Sequence, residues 1–190
     1  ALPISVILAG GKGLRIFEET KLIPKPMIKI GGIPIILHIM NIYKQYGFND
    51  FIVCSGYKHN VIKNFFKNKK KFPNVKVINT GLNTETGGRI FKLRKHLIKE
   101  KNFFLTYGDG LADINLIKLL KTHEKYRNIG TLTAVKRNIN FGVLKMYKSK
   151  VSQFLEKPSN QLINGGFFVF TNKVFNYLNL DQSLEFDSLP

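Results

Sequence analysis

Short apolar runs alternate with longer stretches of helical spacing, and this alternation limits the fold more than any other feature of the chain. Residues 4–8 read as a short buried strand, and 51–54, 75–78, 103–107 and 130–135 as further strands of four to six residues. Between them, 33–46, 58–66, 89–98 and 115–125 carry the spacing of helices. Pro34 sits near the first turn of the first of these helices and Gly47 just past its end, the usual asymmetry of helix termini. Pro24 and Pro26 exclude a helix through 21–27. Strands linked in this way pair in parallel through right-handed crossovers. After Lys136 the pattern changes: 143–146, 151–155 and 167–170 are strands, with no helix between the first two. That predicts a small mixed or antiparallel extension on the same sheet. No linker rich in Pro, Gly or Ser interrupts the chain, so 1–190 is expected to be one domain.

Other classes fall away on composition. No apolar run approaches the roughly 18 residues that a membrane span needs. The apolar opening runs into a glycine loop and reads as a strand, not a signal peptide. One cysteine, Cys54, excludes a disulfide framework and fits a reducing, cytoplasmic setting. The net charge of +18 would suit nucleic acid, but 25 of the 30 cations are Lys and only five are Arg. Asn (18) and Ile (21) are abundant with Lys, the joint signature of AT-rich codons. Nucleic-acid readers lean on Arg, and no recognition motif accompanies the charge, so neither nucleic acid nor membrane is an expected partner. The lysines at 69–71 read as a solvated surface run.

In open parallel sheets, ligands bind beyond the carboxyl ends of the strands, and three features land there. Leu8-Ala9-Gly10-Gly11-Lys12-Gly13-Leu14-Arg15 follows the first strand. Its glycines let backbone amides close on an anion, and Lys12 and Arg15 add charge. A dinucleotide fingerprint would need Gly where Ile16 stands, and a P-loop would need Gly-Lys-Ser/Thr. Second, Pro24 and Pro26 hold Lys25 between them, as suits an ammonium that neutralises phosphoryl charge; a rigid turn with an exposed lysine is the alternative. Third, Gly108-Asp109-Gly110 ends the strand 103–107, where a carboxylate can hold Mg²⁺ against phosphate oxygens; a plain tight turn has the same composition. The four histidines share no motif and read as ordinary helix residues, and Cys54 reads as core.

The order LAGGxGxR, Lys25-Pro26-Met27, Gly108-Asp109-Gly110 and Glu156-Lys157-Pro158 resembles the sugar-1-phosphate nucleotidyltransferases over residues 4 to 190. Four stretches resemble the glucose-1-phosphate cytidylyltransferases within that family. They are Glu18-Glu19-Thr20, Thr80 to Arg89, Thr106 to Gly110, and Ile163 to Phe168.

The resemblance implies a Rossmann-like three-layer α/β/α domain with a mostly parallel sheet. Residues 1–136 would bind nucleotide and 137–190 the sugar phosphate. It implies Mg²⁺-dependent transfer from an NTP, expected to be CTP, to a sugar 1-phosphate, expected to be glucose 1-phosphate, with pyrophosphate released. A binding or regulatory domain of the same fold, or the same chemistry with another base, is the alternative. Leu8, Ala9, Gly10, Gly11, Lys12 and Gly13 would hold base and phosphates. Arg15 and Lys25 would meet the triphosphate, and Thr84, Gly88 and Arg89 fall at nucleotide-contacting positions. Asp109 would be the metal ligand, with Arg15, Lys25 and Asp109 carrying catalysis. Gly142, Glu156, Lys157 and Asn164 would line the sugar-phosphate pocket. A second metal-binding Asp would lie in a segment following Pro190, so the expectation is a chain truncated at its C terminus. A homo-oligomer is a further expectation of the family.

Overall fold

The computed structural model describes residues 2–13, 17–67, 72, 74–137, 141–156 and 161–189. Arg15, Lys157 and the lysines at 69–71 lie outside these residues. The first strand, β1 (Ile4–Ala9), occupies the middle of a six-stranded sheet. Its parallel neighbours are β4 (Phe51–Ser55) and β6 (Asn102–Tyr107), and β5 (Val75–Asn79) extends the sheet beyond β4. Near-continuous apolar runs suit β1, β4 and β6 because both of their faces are covered, whereas the outer strand β5 carries the exposed Lys76.

Residue parity separates the two covering layers. Ile7 and Ala9 of β1, Val53 of β4 and Phe104 of β6 pack in one cluster with Ile36, Ile39, Met40 and Tyr43 of helix α2 (Ile35–Gln45). Helices α3 (His59–Lys67) and α6 (Leu116–Tyr126) cover the same face through Ile62, Phe66, Leu116 and Leu119. The intervening strand residues Val6, Leu8, Ile52, Cys54, Phe103 and Leu105 face the other way, against Ile90, Leu93 and Leu97. These last belong to helix α4 (Thr86–Phe91), helix α5 (Arg94–Leu97) and the turn between them. The result is the expected three-layer α/β/α arrangement. Each large side chain buried from end to end contributes about 1.5–3 kcal/mol.

Four local expectations change. Residues 33–46 do not start as helix: β3 (Ile33–Pro34) pairs with β2 (Lys29–Ile30) across Gly31 and Gly32, both at positive φ, and α2 begins only after Pro34. Residues 25–27 form one 3₁₀ turn despite the prolines, because Pro26 lies in its first two positions, where an N–H has no helical acceptor. The helix expected at 89–98 starts at Thr86 and divides into α4 and α5. Its glycines leave room for a neighbouring chain segment: a Cβ on Gly88 would lie 2.1 Å from the Leu180 carbonyl oxygen.

The fourth change concerns the extension. β8 (Val143–Tyr147) and β9 (Lys150–Leu155) form their own two-stranded sheet rather than joining the main one. β10 (Gln161–Thr171) does join it, antiparallel, between β6 and β7 (Gly130–Arg137). The sheet order is therefore β5-β4-β1-β6-β10-β7. Among the described residues no helix is long and apolar enough to cross a membrane.

Candidate active site

The chain leaves β1 toward β4 and β5 on one side, then returns to β6 on the other, so the direction of winding reverses between β1 and β6. Ligands of open α/β sheets bind at such a reversal, beyond the carboxyl ends of the strands. Here Gly10–Gly13 follows β1 and Gly108–Asp109 follows β6, and the Gly108 N–H donates to the Leu8 carbonyl (2.8 Å). A cavity of about 600 Å³ opens between them. Leu8, Ala9, Gly10, Gly11, Lys12 and Gly13 line one wall, and Lys25, Thr84, Arg89 and Asp109 the others.

Lys25 is presented by the 3₁₀ turn, and its Nζ stands 2.5 Å from Asp109 Oδ2. Each side chain keeps about a third of its surface open (32% and 37%), so the pair faces the cavity as an accessible ammonium and carboxylate. Thr20, at the end of α1 (Phe17–Thr20), fixes the far end of the glycine loop by donating to the Gly13 carbonyl (3.2 Å). Gly13 itself has φ +65°, and a Cβ there would meet the Thr20 methyl at 2.8 Å. Tyr57 Oη in turn donates to the Thr20 carbonyl (2.9 Å).

Arg89 is 4% exposed and sits behind the loop. Its Nη1 donates to Thr80 Oγ1 (2.8 Å) and the Gly81 carbonyl (2.7 Å). Its Nη2 donates to the carbonyls of Gly10 (3.0 Å) and Leu82 (3.4 Å). Burial pulls the guanidinium below its usual pKa, opposed by the neighbouring Cys54 and Glu85. Thr84 Oγ1 donates to the Thr80 carbonyl (2.7 Å) and accepts from Lys92 Nζ (2.9 Å). Gly88 packs on the Leu180 backbone and does not line the cavity.

The residues expected around the sugar phosphate are brought together only in part. Gly142 and Glu156 are neighbours at the open end of the β8–β9 hairpin; a Cβ on Gly142 would lie 3.3 Å from Glu156 Oε2. Neither lines the cavity. Asn164 reaches it indirectly, donating to Tyr107 Oη (3.2 Å) at the cavity wall while its Oδ1 accepts from the Gly166 N–H (2.8 Å).

Sequence reasoning missed the group behind that wall. Tyr107 Oη donates to Glu185 Oε1 (2.6 Å), and Thr86 and Ser183 donate to Oε2 (2.5 and 2.9 Å). Burial alone would raise the Glu185 pKa, but these donors and its own backbone N–H outweigh it and hold the carboxylate below its usual value. Burial, the Glu185 hydrogen bond and its charge push Tyr107 up. Tyr107 lies inside a quoted motif and so had a signal, whereas Glu185 has none locally.

The nucleotidyl transferase family matches residues 4–188. A relative named probable glucose-1-phosphate cytidylyltransferase, from Bacillus subtilis (strain 168), is 39% identical over 98% of this chain and 82% of its own length. Glucose-1-phosphate cytidylyltransferase of Salmonella typhimurium is 38% identical over 94% of this chain and 79% of its own. Among solved structures, HddC from Yersinia pseudotuberculosis, complexed with GMP-PN, superposes with a TM-score of 0.75 at 26% identity. That match covers all of this chain and 86% of HddC. With a matched family spanning nearly every residue and relatives well above 30% identity, this chain belongs to the nucleotidyl transferases.

Proposed function

We propose that this chain transfers a cytidylyl group from CTP to glucose 1-phosphate, forming CDP-glucose and pyrophosphate. The reading is supported by the names of its cytidylyltransferase relatives. The observation that carries it is the Lys25–Asp109 pair facing a glycine loop across one cavity. A phosphate oxygen of the sugar phosphate attacks the α-phosphorus in line, and the bond to the β-phosphate bridging oxygen breaks as pyrophosphate leaves. No protein nucleophile is required, so the residues contribute position and charge. Amides of Gly10–Gly13 bind the phosphates, Arg15 and Lys25 neutralise charge on the triphosphate, and Thr84 contacts the nucleotide. Glu156, Lys157, Asn164 and Gly142 would meet the sugar phosphate.

Among the described residues no cluster of three or more metal-ligating side chains occurs. One exposed carboxylate beside a phosphate loop nonetheless fits Mg²⁺, which binds through one or two carboxylates plus substrate oxygens. Asp109 would hold it, and the metal would supply Lewis-acid charge at the phosphates. Pyrophosphate release with each of four NTPs, glucose 1-phosphate and Mg²⁺ tests the reading. CTP should be preferred and product should have the mass of CDP-glucose. Binding without release under any NTP would leave a ligand-binding domain instead.

A further inference from the structure

All four terminal N–H bonds of Arg89 are engaged by the protein itself, three of them by carbonyls of the two loops that border the cavity. Such a guanidinium has no terminal donor left for a phosphate. The packing is built for it: a Cβ on Gly10 would fall 2.1 Å from Nη1, and one on Gly56 would fall 2.6 Å from it and 2.3 Å from the Gly81 carbonyl. Among the described residues no carboxylate forms an ion pair with Arg89; its charge rests on carbonyl dipoles.

Peptide planarity turns this into a statement about the site. In a trans peptide the C=O of one residue and the N–H of the next point in opposite directions. Tying the Gly10, Gly81 and Leu82 carbonyls to Arg89 therefore turns the N–H groups of Gly11, Leu82 and Asn83 away from it. These three residues line the cavity, and no described residue accepts a hydrogen bond from those amides. The Gly10 carbonyl is further held by the Tyr57 N–H (3.1 Å), so its orientation is doubly fixed.

We propose that Arg89 is a positioning residue that joins the loops 10–13 and 80–84 and presents the Gly11, Leu82 and Asn83 amides to the nucleotide. It acts through backbone carbonyls and not as a charge on the phosphates. The proposal rests on the cavity being the nucleotide site. A lysine keeps the charge but not the planar fork that spans two loops, so Arg and Lys are not equivalent here.

The test combines steady-state kinetics with amide hydrogen exchange on wild type, Arg89→Lys, Arg89→Ala, Thr80→Val and Thr80→Ser. Both Arg89 variants should raise the KM for the NTP and lower kcat/KM by about 10²-fold, the scale of a misplaced binding loop. The KM for glucose 1-phosphate should stay within about twofold; simple loss of folded enzyme would lower kcat without moving one KM selectively. Exchange at the Tyr57 amide, whose hydrogen bond to the Gly10 carbonyl depends on that carbonyl staying in place, should accelerate in both variants in ligand-free protein. Thr80→Val, which removes the Nη1 acceptor, should show a smaller effect in the same direction, and Thr80→Ser should restore wild-type behaviour. If the Arg89 variants do not fold, the Thr80 pair decides. Near-wild-type kinetics for Arg89→Lys, or unchanged exchange at the Tyr57 amide, overturns the proposal. Absence of turnover in wild type refutes the cytidylyl reading, while the exchange experiment still decides the role of Arg89.

Discussion

The two glycines around Asp109 look equivalent in the sequence, yet the structure makes them opposites. A Cβ added at Gly108 would lie 2.7 Å from the Leu8 carbonyl oxygen, 2.9 Å from the Pro26 ring and 3.3 Å from the Ala9 backbone. One added at Gly110 would meet nothing within 4 Å. Neither residue has positive φ, so alanine incurs no backbone strain at either, and the contrast is purely one of space. Since ordinary contact begins near 3.4 Å, Gly108→Ala must open the β1–β6 junction by about 0.7 Å against fixed backbone. Overpacking of this kind costs about 1–3 kcal/mol, which for a chain of this length lowers Tm by roughly 2–12 °C. The same opening carries Asp109 away from Lys25 and the glycine loop, and displacement near this size costs up to about 10²-fold in turnover. Thermal unfolding and kcat/KM for pyrophosphate release, measured side by side, check both consequences. Gly110→Ala should match wild type in each. If the two alanine variants are indistinguishable, close approach of the strands does not set the position of Asp109, and the reasoning fails.

Lys25→Ala should lower kcat by about 10²-fold or more, the scale of a charge aimed at a transition state; near-normal kcat would remove Lys25 from catalysis. Asp109→Asn should abolish Mg²⁺-dependent turnover while Tm changes little, and a Mg²⁺ titration of pyrophosphate release reads this directly. The Glu185 carboxylate is held below its usual pKa of 4.5, so its stabilising contribution is present above that value and is lost as pH falls through the lower, folded one. Glu185→Gln should therefore have a lower Tm than wild type at neutral pH, and the difference should narrow below about pH 4.5, as read by thermal unfolding across pH. Lys157→Ala should raise the KM for glucose 1-phosphate far more than that for CTP, while a substitution among the lysines at 69–71 should move neither.

The central strands were legible because covering both faces of a sheet demands near-continuous apolar runs, and the outer strand β5 because Val75, Val77 and Ile78 flank a single exposed lysine. Residues 51–54 and 75–78 each differ from their strands, β4 and β5, by a single terminal residue. Lys25 and Asp109 were legible for a different reason: proline on both sides of a lysine and glycine on both sides of an aspartate are costly local choices. What stayed hidden depends on distant parts of the chain. Nothing near Glu185 signals that it receives Tyr107, 78 residues away, or that Thr86 also donates to it. Gly88 sits in a glycine-rich stretch beside Arg89, and its missing side chain is explained by the distant Leu180 backbone, with the Thr84 methyl also close. The periodicity of 89–98 is helical but cannot reveal that the axis divides at residues 92–93.

The place of β10 bears on how the chain matures. β7 runs parallel to β6 but never touches it; both are bridged by a strand made some two dozen residues later. During synthesis, β6 must emerge with one backbone edge unpaired and β7 with neither edge paired until residues 161–171 arrive. Those same residues supply Phe167 and Val169 to one layer and Phe168 and Phe170 to the other, so a single late strand completes both cores at once. Nascent chains of this protein therefore pass through a window in which exposed edges and unfinished apolar faces coincide. A ribosome pausing within that window would favour aggregation, and one pausing after it would not.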